Sequence, residues 1–271
     1  RLLIIDSKDK TVLPKLLELY NKRTSRKAIL EIFNQMGSES DLDALMESVD
    51  FEAVKGEDRF AKEQNFINAK LASMIGKLKA KKHLAALGKL ARSKVNETGV
   101  SAIMALGEFP QKESIDYLKK VLKNRYTHKF LVKQAIISLG KIGLLEGIDI
   151  LLPYMVIERQ GASFYAETSM ALFLIGPQSV TALNEIILGK NKVVNDFLEK
   201  SGGHQEAFIA KSLEVISDFP AKNLDNTIAK LIRYKSDDAV KMIMIQMQAV
   251  RAAGKLGIKK AEGSMISILR K

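Results

Sequence analysis

Apolar residues return along this chain at helical spacing in short runs. Each run closes on a small or turn-forming residue before the pattern restarts. The runs close at Met36-Gly37, Ile75-Gly76, Leu106-Gly107 and Leu139-Gly140, and more loosely at Leu172-Phe173, Ile216-Ser217 and Ala253-Gly254. Successive second members lie 39, 31, 33, 33, 44 and 37 residues apart. A drifting period of this size is that of a helix-pair repeat whose loops vary in length. Residues 131–139 show the layout, with Leu131, Ala135, Ile136 and Leu139 on one helical face. Gly140-Lys141-Ile142-Gly143 follows, where a glycine can end the helix in the left-handed conformation. A second helix is predicted over 146–156 from Ile148, Leu151, Leu152 and Met155, kinked or shortened at Pro153.

The same reading pairs 96–106 with 112–123, 161–175 with 178–188, 204–216 with 221–233, and 238–253 with 260–270. Phe109-Pro110, Gly176-Pro177 and Phe219-Pro220 separate the members, where a missing N–H donor costs least. Five places before the turn residue stand the small side chains Ala102, Ala135, Thr168, Ser212 and Ala249, which predict close helix approach; the early copies have Ile32 and Leu71 there. Residues 50–64 and 190–204 break the rhythm and read as longer inter-repeat loops. The expectation is an all-α fold, a single array over 1–271 of about seven antiparallel helix pairs.

The copies Leu131 to Gly143 and Ile245 to Gly257 resemble HEAT repeats, and especially the short bacterial HEAT-like repeats of the phycobilisome-lyase type. Their pattern runs Val-Arg-x-x-Ala-x-x-x-Leu-Gly-x-x-Gly-Asp. The resemblance covers residues 13–271 and is strongest over 96–188. It implies a right-handed α-solenoid whose second helices line a concave face suited to protein, peptide or nucleic acid. The expected Arg is replaced by Gly99, Val132 and Gln246, and the expected Asp by Leu144, Pro177 and Ile258. The chain therefore resembles a divergent member, lacking groups that link adjacent repeats in such families. With no cysteine it cannot itself be the thiol acceptor of a chromophore.

Composition narrows the picture. Hydrophobic residues make up 46%, enough for a core, and the 5 Pro and absent Trp suit helices packed through aliphatic side chains. The lack of Cys excludes disulfides and thiolate metal sites; it fits either redox compartment and leans to the extracytoplasmic one. No apolar run reaches the ~20 residues of a membrane span. The chain opens Arg1-Leu2-Leu3-Ile4-Ile5 without Met, as a processed product does, so a missing leader excludes no location.

Net charge is +12, from 43 basic and 31 acidic residues, and it is uneven. Residues 64–96 contain no Asp or Glu, whereas residues 1–60 carry twelve acidic and ten basic side chains. The basic stretch nominates Lys77, Lys79, Lys81, Lys82, Lys89 and Arg92 as an interaction surface. On a helix starting near Lys81, the four residues Lys81, Lys82, Lys89 and Arg92 share one arc, with Ala85 and Gly88 as low relief between them. Leu84, Leu87 and Ala91 face the stack. Such an arc suits an acidic protein or peptide. Nucleic acid fits less well, because no aromatic lies between Phe66 and Phe109 to stack on bases.

No constellation of catalytic type stands out. His83, His128 and His204 fall in different repeats without ligand spacing. Asp41 and Asp43, and Asp237 and Asp238, read as helix starts, and Glu146 and Asp149 as an exposed helical pair. The glycine turns lack a Walker lysine in register and a preceding strand. The sequence thus predicts a non-enzymatic interaction scaffold with no cofactor and no metal. The alternatives are a nucleic-acid binder gripping the phosphate backbone and an accessory or catalytic subunit with a groove active site.

Overall fold

The computed structural model describes residues 2–53, 55–220 and 224–269, and all its regular structure is helical apart from one short hairpin. It forms two compact units, Arg1–Ile142 and Gly143–Lys271.

Unit 1 begins with α1 (Leu2–Ser7) and α2 (Leu13–Asn21). Three helix pairs follow: α3 (Arg26–Met36) with α4 (Glu39–Met46), α5 (Arg59–Leu78) with α6 (Leu84–Leu90), and α7 (Asn96–Leu106) with α8 (Lys112–Lys123). The unit closes on α9 (Lys129–Ile142). The first helices α3, α5, α7 and α9 pack each on the next, and each second helix packs on the first helix that follows it. The periodic apolar faces meet in these layers: Leu71 and Ile75 of α5, Ile103 and Leu106 of α7, and Ile136 and Leu139 of α9 are all fully buried. Contact is closest between α5 and α7, where a Cβ added at Gly76 would lie 2.9 Å from Ala105 Cα. One helix pair alone cannot hide its apolar stripe, but a stack hides the stripes jointly.

Unit 2 opens with α10 (Glu146–Leu151), which passes into a 3₁₀ turn at Leu152–Met155 where Pro153 removes a helical donor, as its position predicts. Then come β1 (Glu158–Arg159), β2 (Ala162–Ser163), α11 (Tyr165–Ile175), α12 (Gln178–Ile187), α13 (Lys192–Ser201), α14 (Gln205–Ile216), α15 (Asp225–Leu231), α16 (Ala239–Leu256) and α17 (Glu262–Leu269). Helix α14 packs against α12 and α16, and α15 against α16. The small residues Ala102, Ala135, Thr168, Ser212 and Ala249 are all fully buried, as close helix approach requires.

Three expectations are corrected. The 190–204 segment is a ten-residue helix rather than a loop. Its punctuating residues are its caps: the Asn191 side chain accepts from the Val194 amide at 3.1 Å, and Gly202 ends it at φ 66°. Val194 is buried, and Phe197 meets Phe208 edge-on at 5.8 Å. The helix expected from residue 161 starts only at Tyr165, because 158–163 form an antiparallel hairpin. Its turn, Gln160-Gly161, has positive φ at both residues (51° and 68°), the geometry of a tight two-residue turn. Of the 50–64 segment, residues from Arg59 onward already belong to α5, whose N-cap Asp58 accepts from the amides of Phe60 and Ala61. The first positions of the helix expected over 221–233, residues 221–223, lie outside the described residues, as do Val54 and the final two.

Candidate functional site

The six basic residues singled out by sequence are all exposed, but they do not form one surface. Lys77 lies in the last turn of α5, and Lys79 caps that helix at φ 52°. Lys81 and Lys82 sit in a 3₁₀ turn before α6, whereas Lys89 and Arg92 stand at the far end of α6, about 10 Å along its axis. The expected low relief at Gly88 is filled. Gly88 is buried, and a Cβ there would come within 2.2 Å of the Tyr117 ring from α8. The neighbouring repeat thus closes the arc at Gly88, while Ala85 stays exposed.

The near end of α6 is bound to the preceding repeat. Lys82 Nζ lies 2.5 Å from Asp43 Oδ2 and 3.4 Å from Glu39 Oε1, and His83 Nε2 lies 2.7 Å from Asp43 Oδ1. Hydrogen bonds from Lys82 and then His83 hold the Asp43 carboxyl below the usual carboxylate range, and the Asp43 carboxylate raises the Lys82 ammonium in turn. Lys77 donates to the backbone carbonyl of Asn34. At the same place in later repeats, Lys141 pairs with Glu108, and Lys255 Nζ with Asp218 Oδ1 at 2.7 Å. These lysines each follow the repeat's turn glycine and tie one repeat to the one before.

The far end of α6 opens on a different environment. Here the second helices run into the next first helices, and a cleft of about 320 Å³ lies between the starts of α7 and α9. Arg92, Lys94, Lys120 and His128 line it together with Ser93, Asn96 and Thr127, and no carboxylate lines it. The first turn of α7 adds its uncapped amides, since Val95 offers no side-chain cap. Lys120, in the last turn of α8, also complements that helix's negative end. His128 Nδ1 accepts from the Phe130 amide at 3.3 Å, which orients the imidazole. A second cleft of about 780 Å³ adjoins, sharing Arg92, Ser93 and Lys94 and adding Lys89 and Phe51 together with the carboxylates Asp50 and Glu52. A third, with Arg23, Arg26, Arg59 and Phe60, is also lined by Asp50, Glu52 and Glu63.

The edge also supplies the aromatic rings absent between Phe66 and Phe109. Tyr126, in the loop before α9, is 84% exposed at the rim of the carboxylate-free cleft. Phe51, in the segment before α5, is 40% exposed, and Lys89 Nζ stands 5.0 Å from its ring centroid. The sequence reading leaves Lys94 unselected within the basic stretch and His128 as an isolated histidine, and it misses Lys120, Phe51 and Tyr126, which come from other repeats. The available signal was their shared place in the repeat, just ahead of a first helix.

Charge follows the same division. Unit 1 carries 27 basic and 17 acidic residues, a net of +10, and unit 2 carries 16 and 14, a net of +2. In unit 2 the small cleft between α11 and α14 is lined by Met170, Phe173, Val215 and Asp218. Beside it, burial and then Glu214 push the Tyr165 phenol well above its ordinary range. His204 lies 3.4 Å from Lys241 Nζ, so the three histidines stay in separate repeats. Among the described residues no three His, Asp or Glu side chains are grouped to hold a metal, and no helix is long and apolar enough to cross a membrane. Asp41 forms a capping box with Ser38, and Asp238 caps α16.

No curated protein matches the chain in a sequence comparison. Residues 100–124 match the family described as PBS lyase HEAT-like repeat. That stretch is the latter part of α7, the turn at Gly107 to Gln111, and α8. The match supports a HEAT-like repeat fold for the chain, in which helix pairs packed in the same order lie on either side of the matched pair.

Proposed function

We propose that the chain is a non-enzymatic interaction scaffold that captures an anionic partner along the loop edge of unit 1. The observation that carries this reading is the cleft lined by Arg92, Lys94, Lys120 and His128 without a carboxylate. At the opposite end of α6, by contrast, Lys82 is neutralised by Glu39 and Asp43. Cations lacking counter-charges at one edge of a rigid stack attract a polyanion and steer its approach. Repeat proteins with a HEAT-like fold typically mediate protein interactions, which supports the scaffold role.

The test is charge reversal at Lys89, Arg92, Lys94 and Lys120 in the full chain, read as affinity for a labelled polyglutamate peptide. Reversal of these four should weaken capture by at least about tenfold, on the order of 1.4 kcal/mol. Lys82→Ala should leave it nearly unchanged, because that ammonium already serves the stack. Equal affinity of the fourfold variant and the native chain would remove the assignment.

A further inference from the structure

We infer that the anion taken by this edge is single-stranded nucleic acid, with phosphates against Arg92, Lys94 and Lys120 and bases on the rings of Tyr126 and Phe51. The inference rests on the reading that the edge captures an anion. It is carried by the order of groups along the edge. Tyr126 stands at the outer rim of the carboxylate-free cleft, Phe51 lines the adjoining cleft, and Arg92 and Lys94 belong to both. The sequence of groups is therefore ring, cations, ring. It spans the starts of α5, α7 and α9, two steps of about 8–10 Å between packed helices.

The exposure of the rings chooses among polyanions. Tyr126 is 84% exposed and Phe51 is 40% exposed. An acidic peptide needs only the cations and leaves the Tyr126 ring to water. A duplex presents phosphates but keeps its bases stacked on one another. A single strand offers both a phosphate track and unstacked bases, each with a π-face for an aromatic platform. The cations line two adjoining clefts of about 320 and 780 Å³, and a concave track of this kind fits a chain-like polyanion better than a flat lipid surface. Beyond Phe51 the track ends, because the third cleft sets Asp50, Glu52 and Glu63 among Arg23, Arg26 and Arg59. No base-edge readout is implied, since stacking and phosphate contacts tolerate any sequence.

The experiment measures fluorescence anisotropy of the full chain with a labelled oligothymidylate of about 12 nucleotides. A duplex of equal length and the polyglutamate peptide are measured beside it. The single strand should bind tightest, with log affinity falling against log salt at a slope of about −2 for three phosphates. Reversing Arg92, Lys94 and Lys120 should flatten that slope. Tyr126→Ala should cost about 5- to 150-fold in single-strand affinity and leave polyglutamate binding unchanged, and Tyr126→Phe should restore it. Tyr126 packs against little of the fold, so the alanine variant should keep the native circular dichroism spectrum. No single-strand binding at low salt, or a Tyr126→Ala variant that binds it as well as the native chain, overturns the inference. Polyglutamate capture that still depends on the cations would then leave the scaffold reading standing, and loss of both would end both.

Discussion

Gly76 and Gly254 hold the same place in the repeat, each one residue before a lysine, yet they meet different surroundings. A methyl group on Gly76 would stand 2.9 Å from both Cα and Cβ of Ala105, and backbone on that side cannot yield as a flexible side chain can. Around Gly254 nothing lies within 4 Å of the added carbon. Alanine in a helix interior is favoured over glycine by up to about 1 kcal/mol. Gly254→Ala should therefore raise stability by up to that amount, while overpacking makes Gly76→Ala lose about 1–3 kcal/mol. Chemical denaturation of the two variants checks this, and shifts of the same sign would refute the account of helix approach. Thr168 and Ser212 make the same point about size. Both are fully buried, and their hydroxyls lack a hydrogen-bond partner among the described residues, so volume is what the position requires.

Between elements, the recurrent link is the residue after the turn glycine or serine: Lys77, Glu108, Lys141, Asp218 and Lys255. Lys141 meets Glu108 with half of its side chain in solvent, and Lys255 meets Asp218 under similar exposure. Exposed pairs of this kind contribute about 0.2–1 kcal/mol. A double-mutant cycle on Glu108→Gln and Lys141→Met should return a coupling in that range that shrinks with added salt; a coupling of zero at low salt would deny the link. This ladder was open to reading from the sequence, since its charges sit at a fixed offset, but a template expecting Arg and Asp elsewhere in the repeat hid it. Helix existence was legible because aliphatic periodicity is local: α7 and α8 begin and end where the pattern places them. Helix α13 was not, because Asn191 and Gly202 serve equally as loop formers and as caps, and only the packing of Val194 and Phe197 decides. The candidate site was half legible. Lys89 and Arg92 follow from charge, but Lys120, Tyr126 and Phe51 join them only through stacking, and Lys82 leaves them because Asp43 arrives from the repeat before.

Across the molecule, the cationic excess lies almost wholly in unit 1, at +10 against +2. Like charges at this density repel and favour expansion, and ions relieve the repulsion within a Debye length of about 8 Å at physiological strength. Raising salt from low ionic strength to about 0.3 M should slow hydrogen exchange of amides in α5 to α9 more than in α11 to α16. Equal slowing in both units, followed peptide by peptide, would argue that the charge is spread by compensating pairs. The alternating signs that join neighbouring repeats carry a consequence for editing the gene. Excising the cassette 96–128 would leave an open frame and an intact periodicity, yet it would set the ammonium of Lys141 opposite that of Lys77. Shuffled or shortened arrays of this chain therefore have a preferred order, fixed by which module may follow which.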